Sequence, residues 1–133
     1  AGAGTFLETM ARALEIKLDE MSALSLKSEK VIPMNAQCAV FAESEVVSLI
    51  HSGTAKEDIV RAVHEAMADR IAAMARRVGI EREVALVGGV GRDRGFIKAL
   101  AGELELELLI PAEPEFVGAL GAALIAAERA KGS

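Results

Sequence analysis

The sequence predicts an α/β fold in which helices come first and a β–α–β unit with a final helix comes last. Between residues 5 and 78, apolar residues recur at steps of three and four, which is the period of a helix. After residue 83, two apolar runs flank a helical stretch, and this order is typical of parallel strands joined by a helix. With 133 residues and one cysteine, we expect a single domain over residues 1–133 and no internal disulfide.

The first two helices are predicted from capping residues and apolar spacing. Thr5 and Glu8 have the spacing of a capping box, and a helical pattern continues from them to Leu14. A second, short helix is predicted over Leu18–Lys27, and its inward-facing residues are Met21, Leu24 and Ser25. Pro33 then interrupts the helical pattern, so an extended segment is expected there.

Two central helices follow, separated by a glycine. The first is predicted over Ala42–His51, begins soon after Cys38 and ends near Gly53. Thr54 and Glu57 then have capping-box spacing at the start of the longest helix, which ends at a glycine after residue 78. We expect one apolar stripe of this helix to face the core; its members are Val60, Val63, Met67, Ile71, Met74 and Val78.

The last third of the chain predicts a strand, a helix, a second strand and a final helix. Glu83–Val87 is almost continuously apolar and ends at a glycine pair, which is typical of a buried parallel strand. A helix over Arg94–Leu104 and a second strand over Leu106–Ile110 follow. Phe116–Arg129 is predicted as a helix rich in small residues, which allow a helix to lie close to a neighbouring backbone.

Charge and composition argue against several classes of partner. The chain has 15 Lys and Arg against 20 Asp and Glu, so its net charge is −5, and it has no Trp or Tyr. We therefore expect no nucleic-acid partner, because duplex binding needs clustered positive charge and single strands need stacking aromatic rings. The longest apolar stretch, Phe116 to Ala127, is shorter than a membrane span. No membrane is expected, and the lone cysteine and missing basic leader favour the cytoplasm.

The glycines after the first predicted strand are the strongest candidate for a ligand site. Ligands of open α/β sheets bind at the carboxyl ends of strands, and the run Val87 to Asp93 holds three glycines that permit close approach. A tight turn without a ligand explains the same residues equally well. Asp93 could accept a sugar hydroxyl, but capping the next helix is favoured. Gly2 and Gly4 could cradle a phosphate at a helix start, although a flexible end is the favoured interpretation.

The single cysteine and the two histidines are the candidates for metal ligands. Cys38 precedes a helix start, where backbone amides favour a thiolate and therefore metal ligation. A lone cysteine is more often a small buried apolar residue, and one thiolate cannot hold an iron–sulfur cluster. His51 and His64 show no convergent ligands, so both are predicted at the surface. The residues predict no catalytic group.

Four segments together resemble one known family. They are the Gly-rich start Ala1–Glu8, the run Cys38–Val46, Val87–Val90 with Gly95, and Gly118–Ala123. Together they resemble the C-terminal part of the activator ATPases of 2-hydroxyacyl-CoA dehydratases, a family that includes the ATP-binding subunits of benzoyl-CoA reductase. The resemblance covers nearly the whole chain, and the cysteine run is its most specific part. It implies a helix-rich C-terminal half of an actin/sugar kinase/Hsp70-like (ribonuclease H-like) ATPase domain with a small parallel sheet.

The resemblance also implies a function. Family members are homodimers or pseudo-dimers of related subunits that bind ATP or ADP with Mg²⁺ and share one [4Fe–4S] cluster at the interface. They receive an electron from a donor such as ferredoxin or flavodoxin and pass it, at low potential, to a dehydratase or reductase partner. Carried over to this sequence, the resemblance makes Cys38 a cluster ligand. The residues it places at the nucleotide are Gly2, Gly4, Glu8, Gly88, Gly89 and Val90.

The sequence also departs from that family. The other cluster cysteine would fall just before Ala1, and the N-terminal domain and second phosphate motif lie outside the sequence. We therefore expect the isolated chain neither to hydrolyse ATP nor to hold a stable cluster, and we expect both cofactors to be bound by the full-length protein and neither by the isolated chain. A domain of a sugar or acyl kinase of the same superfold is an alternative, but it leaves the Cys38 segment unexplained. A non-enzymatic assembly domain is the third possibility, and it predicts no nucleotide response at residues 88–91.

Overall fold

The computed structural model describes residues 2–35 and 38–132. Its elements follow the order that the sequence predicts, with four helices before a strand–helix–strand–helix unit. They are α1 (Ala3–Ala13), α2 (Leu18–Ser25), α3 (Ala39–His51), α4 (Lys56–Val78), β1 (Val84–Ala85), α5 (Arg94–Leu104), β2 (Leu108–Leu109) and α6 (Val117–Lys131). Short 3₁₀ helices cover Gly89–Arg92 and Pro114–Phe116.

The two strands pair in parallel, as the β–α–β pattern predicts. Val84 lies opposite Leu108 and Ala85 opposite Leu109, and α5 connects the strands. Each strand is two residues long, which is shorter than predicted. The expectation of a fully buried strand is wrong, because Ala85 and Leu109 are exposed. Side chains alternate across a strand, so only the face that holds Val84 and Leu108 packs against the core.

The core lies where α1, α2, α4 and α5 meet. Its fully buried side chains include Leu7, Met10, Met21, Val63 and Phe96. The side chains of α4 that face α2 and α5 supply the centre of this core, so the amphipathic pattern of that helix predicted its inner face.

The predicted apolar stripe of α4 is confirmed over its first part and wrong at its end. Val60 and Met67 are buried, whereas Met74 is 49% exposed and Val78 is 88% exposed. Arg76 in the last turn of α4 reaches Glu103 near the end of α5, but residues 76–78 are exposed, so the core ends before the helix does.

Both predicted capping boxes are wrong. α1 begins at Ala3, because Gly2 takes a left-handed conformation (φ 93°) as its N-cap, and Thr5 therefore lies inside the helix. α4 has Ala55 as its N-cap, and no side chain caps it. The hydroxyl of Thr54 instead lies 3.1 Å from that of Ser52, so the turn between the helices uses the side chain that the pattern assigned to capping.

The C-terminal helix is largely exposed. α6 buries none of its described residues, and Leu120, Leu124 and Ile125 are each more than half exposed. The prediction that its small residues lie close to a neighbouring backbone is therefore not met by the part of the chain described. Among the described residues, no helix is long and apolar enough to cross a membrane.

Candidate functional site

A cavity of about 950 Å³ lies between the start of α1, one face of α2 and residues 87–94, and we call it the main cavity. This volume is within the range of small-molecule sites. The six residues predicted to contact a nucleotide all line it; they are Gly2, Gly4, Glu8, Gly88, Gly89 and Val90. The fold therefore brings together two segments that are far apart in the sequence.

The start of α1 gives the main cavity an anion-binding wall. The N–H of Phe6 donates to the carbonyl of Gly2, and this is the first hydrogen bond of the helix. The amides of Ala3, Gly4 and Thr5 precede it, so they are the donors that a helix start leaves unpaired. Since Gly2, Ala3 and Gly4 line the cavity, the positive end of the helix dipole faces it.

The opposite wall is a glycine loop, residues 87–92, that is braced from behind. Gly88 has a φ of 94°, and its N–H donates to the carbonyl of Pro114 at 2.7 Å. Gly91 lies so close to Pro114 that a Cβ at that position would be 2.8 Å from the proline Cβ. Gly89, in contrast, has open space beside it on the cavity wall. A ligand can therefore approach the loop backbone closely at Gly89.

Arg92 adds an ionic link to the same brace. Its guanidinium lies 2.7 Å from a carboxylate oxygen of Glu113 and 2.9 Å from one of Glu115. The hydrogen bond with Glu115, followed by the charges of both glutamates, raises the pKa of Arg92, and the same contact lowers the pKa of Glu115. Arg92 also lines the main cavity, so it connects the cavity wall formed by the glycine loop to the turn that precedes α6.

Asp93 caps α5, as the favoured interpretation of the sequence predicted. One carboxylate oxygen, Oδ1, accepts from the N–H of Phe96 at 3.0 Å. The other, Oδ2, lies 3.0 Å from Nε2 of His64. Burial would raise the pKa of Asp93, but the contact with His64 and the N–H groups of Phe96 and Gly95 outweigh it, so the pKa is lowered.

The prediction for His64 is wrong, whereas that for His51 is confirmed. His64 is completely buried and has a carboxylate partner, while His51 is exposed at the end of α3. The signal for burial was present in the sequence, because His64 lies four residues after Val60 and three before Met67, on the apolar side of α4. The expectation considered only the chemistry of the ring and overlooked its position on the helix.

The chemistry of the main cavity suits a ligand with a flat apolar part and an anionic part. Leu18, the first residue of α2, and Leu26, just after its end, are 42% and 44% exposed and form an apolar wall together with Val90. Glu8 and Asp19 add carboxylates that can accept hydrogen bonds from hydroxyl or amino groups. An aromatic base could lie on the apolar wall while an anionic group reaches the start of α1.

Cys38 lies at the start of α3, away from the lining of the main cavity. It is the N-cap residue, is partly buried, and its carbonyl accepts from the N–H of Ala42 at 3.0 Å. Val40 and Phe41 beside it are 67% and 73% exposed. The thiol is therefore placed at a helix start within an apolar part of the surface.

A smaller cavity of about 390 Å³ lies between the start of α1 and the start of α3. Gly2 and Ala3 line both cavities, and Ala39, the residue after Cys38, lines the smaller one. The start of α1 thus separates the main cavity from the start of α3.

Comparison with known proteins identifies the family. Residues 1–126 match the family described as the BadF/BadG/BcrA/BcrD ATPase family. This chain belongs to that family. The resemblance read from the sequence is therefore confirmed, and so is the expected fold, a helix-rich half of an activator ATPase with a small parallel sheet.

Individual relatives in the BadF/BadG/BcrA/BcrD family are similar over the whole chain. The 2-hydroxyisocaproyl-CoA dehydratase activator of Clostridioides difficile is 41% identical over 133 residues, which are 100% of this chain and 50% of that protein. The activator of lactoyl-CoA dehydratase of Anaerotignum propionicum is 43% identical over 98% of this chain and 51% of its own length. The chain therefore spans about half the length of these relatives.

A solved structure gives the same result. The activator of the 2-hydroxyisocaproyl-CoA dehydratase from Clostridium difficile, determined with bound ADPNP, superposes with a TM-score of 0.91 and 40% sequence identity. The match covers 98% of this chain and 49% of that one.

The side chains of this family member fit the two expected ligands unequally. The main cavity fits a nucleotide, because it combines an apolar wall with a helix start. A four-thiolate cluster does not fit this chain alone, since Cys38 is its one cysteine. The described residues also contain no group of three or more His, Cys, Asp or Glu side chains that could hold a metal ion.

Proposed function

We propose that residues 1–133 are the C-terminal, nucleotide- and cluster-binding part of an ATP-dependent activator that supplies electrons to a 2-hydroxyacyl-CoA dehydratase or a benzoyl-CoA reductase. The observation that carries the proposal is the convergence of Gly2, Gly4, Glu8, Gly88, Gly89 and Val90 on one cavity, in a chain that belongs to this ATPase family. The two relatives described above are dehydratase activators, which favours a dehydratase as partner.

In this proposal the main cavity binds the adenosine and phosphate groups of ATP or ADP. The base lies on the apolar wall formed with Leu18 and Leu26, and the phosphates lie at the unpaired amides that begin α1. Gly88 and Gly89 allow the ribose and phosphates to approach the loop backbone, and Glu8 accepts hydrogen bonds from ribose hydroxyls or the base. Mg²⁺ accompanies the phosphates, which supply the oxygen ligands that it prefers.

Cys38 is proposed as one ligand of a [4Fe–4S] cluster shared between two subunits. Two copies of this chain supply two thiolates, so the remaining two belong to other parts of the assembled protein. The exposed Val40 and Phe41 beside the thiol are consistent with a subunit interface there. The positive end of α3 favours the negative charge of a reduced cluster.

The shared start of α1 suggests how nucleotide and thiol are coupled. Gly2 and Ala3 lie between the main cavity and the cavity beside Ala39, so a displacement of α1 by bound phosphates also acts on the start of α3. We propose that the start of α1 transmits the presence or absence of bound phosphates from the main cavity to the subunit interface beside Cys38. Hydrolysis of ATP is assigned to the longer protein, because this chain spans about half the length of its relatives.

Titration with ADP tests the nucleotide part of the proposal, in the longer protein that we propose carries this chain. Isothermal titration calorimetry should show binding of one ADP per chain and weaker binding of GDP. Gly89→Leu places a side chain in the open space of the cavity and should abolish binding. Gly102→Leu adds the same side chain at an open position of α5 away from the main cavity, and should leave binding intact. Absence of ADP binding by the unmodified longer protein would refute this part.

Substitution of Cys38 in the longer protein that we propose carries this chain tests the cluster part. Cys38→Ser should lower the iron and sulfide retained after anaerobic reconstitution and abolish electron transfer, while ADP binding persists. Ser48→Ala, at an exposed position of the same helix, is the control. A sugar or acyl kinase would tolerate Cys38→Ser, and an assembly domain would show no nucleotide-dependent change at the amides of residues 88–91. A cluster formed in stoichiometric amount by the isolated chain would contradict our ligand count.

A further inference from the structure

We propose that His64 is a positioning residue of the main cavity, which it does not itself line, and that it acts through Asp93. The inference rests on the proposed nucleotide function for its consequence, but the placement of the side chains stands independently. His64 lies on α4, is completely buried, and directs Nε2 toward Asp93 Oδ2 at 3.0 Å. Asp93 lines the cavity and His64 does not, so the buried imidazole contacts a residue of the cavity wall from the core side.

Asp93 is the point at which the glycine loop ends and α5 begins. Its N–H donates to the carbonyl of Val90 at 3.1 Å, and its Oδ1 accepts from the N–H of Phe96. Val90 lies in the cavity wall, so the position of Asp93 sets the end of that wall. The Asp93 carboxylate is bonded at Oδ1 to a backbone amide and lies at Oδ2 3.0 Å from the imidazole of His64, so both contacts restrict its orientation and that of the loop before it.

The same ring also sets the distance between the two helices that flank the cavity. A Cβ at Gly95 would lie 2.8 Å from His64 Nδ1, so the first turn of α5 rests against the imidazole. The N–H of Gly95 donates at 3.2 Å to the hydroxyl of Ser22 on α2, and Ser22 lines the main cavity. His64 therefore supports the glycine loop through Asp93 and the α2 wall through Gly95.

A purely structural role explains the burial of His64 poorly. Among residues 2–35 and 38–132, neither ring nitrogen finds an aligned hydrogen bond: none is made by Nδ1, and Nε2 lies 3.0 Å from Asp93 Oδ2 without pointing its N–H at that oxygen. A buried polar group without aligned partners destabilises a core, and Phe would fill a similar volume without that penalty. What the imidazole adds over an apolar ring is its pairing with the carboxylate of Asp93.

The test is made in the longer protein that we propose carries this chain, and it compares His64→Phe and His64→Gln with a control that affects only stability. Gln keeps a polar group within reach of Asp93, whereas Phe removes it. Val46→Ala, at a completely buried position of α3, removes core volume away from the main cavity and is the control. Two quantities are measured for each variant well below its Tm: the Kd for ADP by calorimetry, and the hydrogen exchange of the amides of residues 88–95 without nucleotide.

We expect His64→Phe to raise the Kd for ADP roughly tenfold, which corresponds to about 1.4 kcal/mol, the size of one polar contact. It should also speed amide exchange in residues 88–95, and His64→Gln should restore most of both losses. Val46→Ala should leave both quantities unchanged even where it lowers Tm equally. Unchanged Kd and exchange in His64→Phe, or equal changes in Val46→Ala, would overturn the proposal.

A double-mutant cycle with Asp93→Asn isolates the pair and guards against a misfolded Phe variant. Asn is as good an N-cap as Asp, so this change removes the carboxylate charge and keeps the cap. The effects of His64→Leu, a second apolar replacement, and Asp93→Asn on amide exchange should be less than additive, because both remove the same contact. If the unmodified longer protein binds no ADP, the proposed function fails, and the exchange data alone still decide whether His64 positions the loop.

Discussion

Gly95→Ala should destabilise the chain, although alanine is the better helix former. In an open helix position this change stabilises by about 1 kcal/mol. At Gly95, however, the added Cβ would lie 2.8 Å from His64 Nδ1 and 2.9 Å from Ser25 Cβ, and both side chains are buried. Overpacking of this kind costs about 2–3 kcal/mol at its upper end. The net loss is therefore about 1–2 kcal/mol, which corresponds to a fall in Tm of roughly 3–8 °C.

Gly102→Ala is the matched control, because it makes the same change in the same helix. Nothing lies within 4 Å of a Cβ at Gly102, so this variant should be more stable than the unmodified chain by about 0.5–1 kcal/mol. Urea unfolding followed by circular dichroism at 222 nm measures both. Opposite signs are expected. If both variants are stabilised to the same extent, the first turn of α5 does not rest on His64, and the argument from close packing is wrong.

Three further predictions concern the loop and the helix starts. Asp93→Ala should lower the unfolding free energy by about 1 kcal/mol through loss of the α5 cap, measured by urea unfolding. The hydrogen bond from Ser28 is the largest of the causes that lower the pKa of Asp58 in the folded chain. The Asp58 carboxylate therefore stabilises the folded chain above its unfolded pKa of about 4, and this contribution is lost as pH falls through the folded pKa. Asp58→Asn should therefore make the unfolding free energy fall less steeply below pH about 4, in urea titrations at several pH values. Gly91→Ala should cost about 1–3 kcal/mol, because its Cβ would collide with Pro114, and a calorimetric scan measures the fall in Tm.

The order of the elements could be predicted because hydrophobic period is local. The stripe that begins at Val60 identifies α4, and the two apolar runs around α5 identify the parallel pair. Helix starts could not be predicted in the same way. A threonine with capping-box spacing can bond either to the helix start or to another side chain, and the spacing does not distinguish the two. Thr54 matches a capping box, yet its hydroxyl lies beside that of Ser52.

The lining of the main cavity was predicted from the resemblance, whereas the support behind it was not. Gly88 and Gly89 stand out in the sequence because a glycine pair after a strand is unusual. His64 does not stand out, since its partner Asp93 is far along the chain and only the packing of α4 against α5 brings them together. Contacts of this kind depend on tertiary structure, so a single sequence does not reveal them.

The contacts between the glycine loop and the turn before α6 allow a movement of the loop to tilt that helix. The turn at Pro114 accepts from Gly88, Glu113 and Glu115 hold Arg92, and α6 continues directly from Phe116. A helix of 15 residues is about 22 Å long, so a tilt of about 10° at its base would move its far end by about 4 Å. A small rotation at the cavity wall would thus be amplified at Lys131, well away from the ligand.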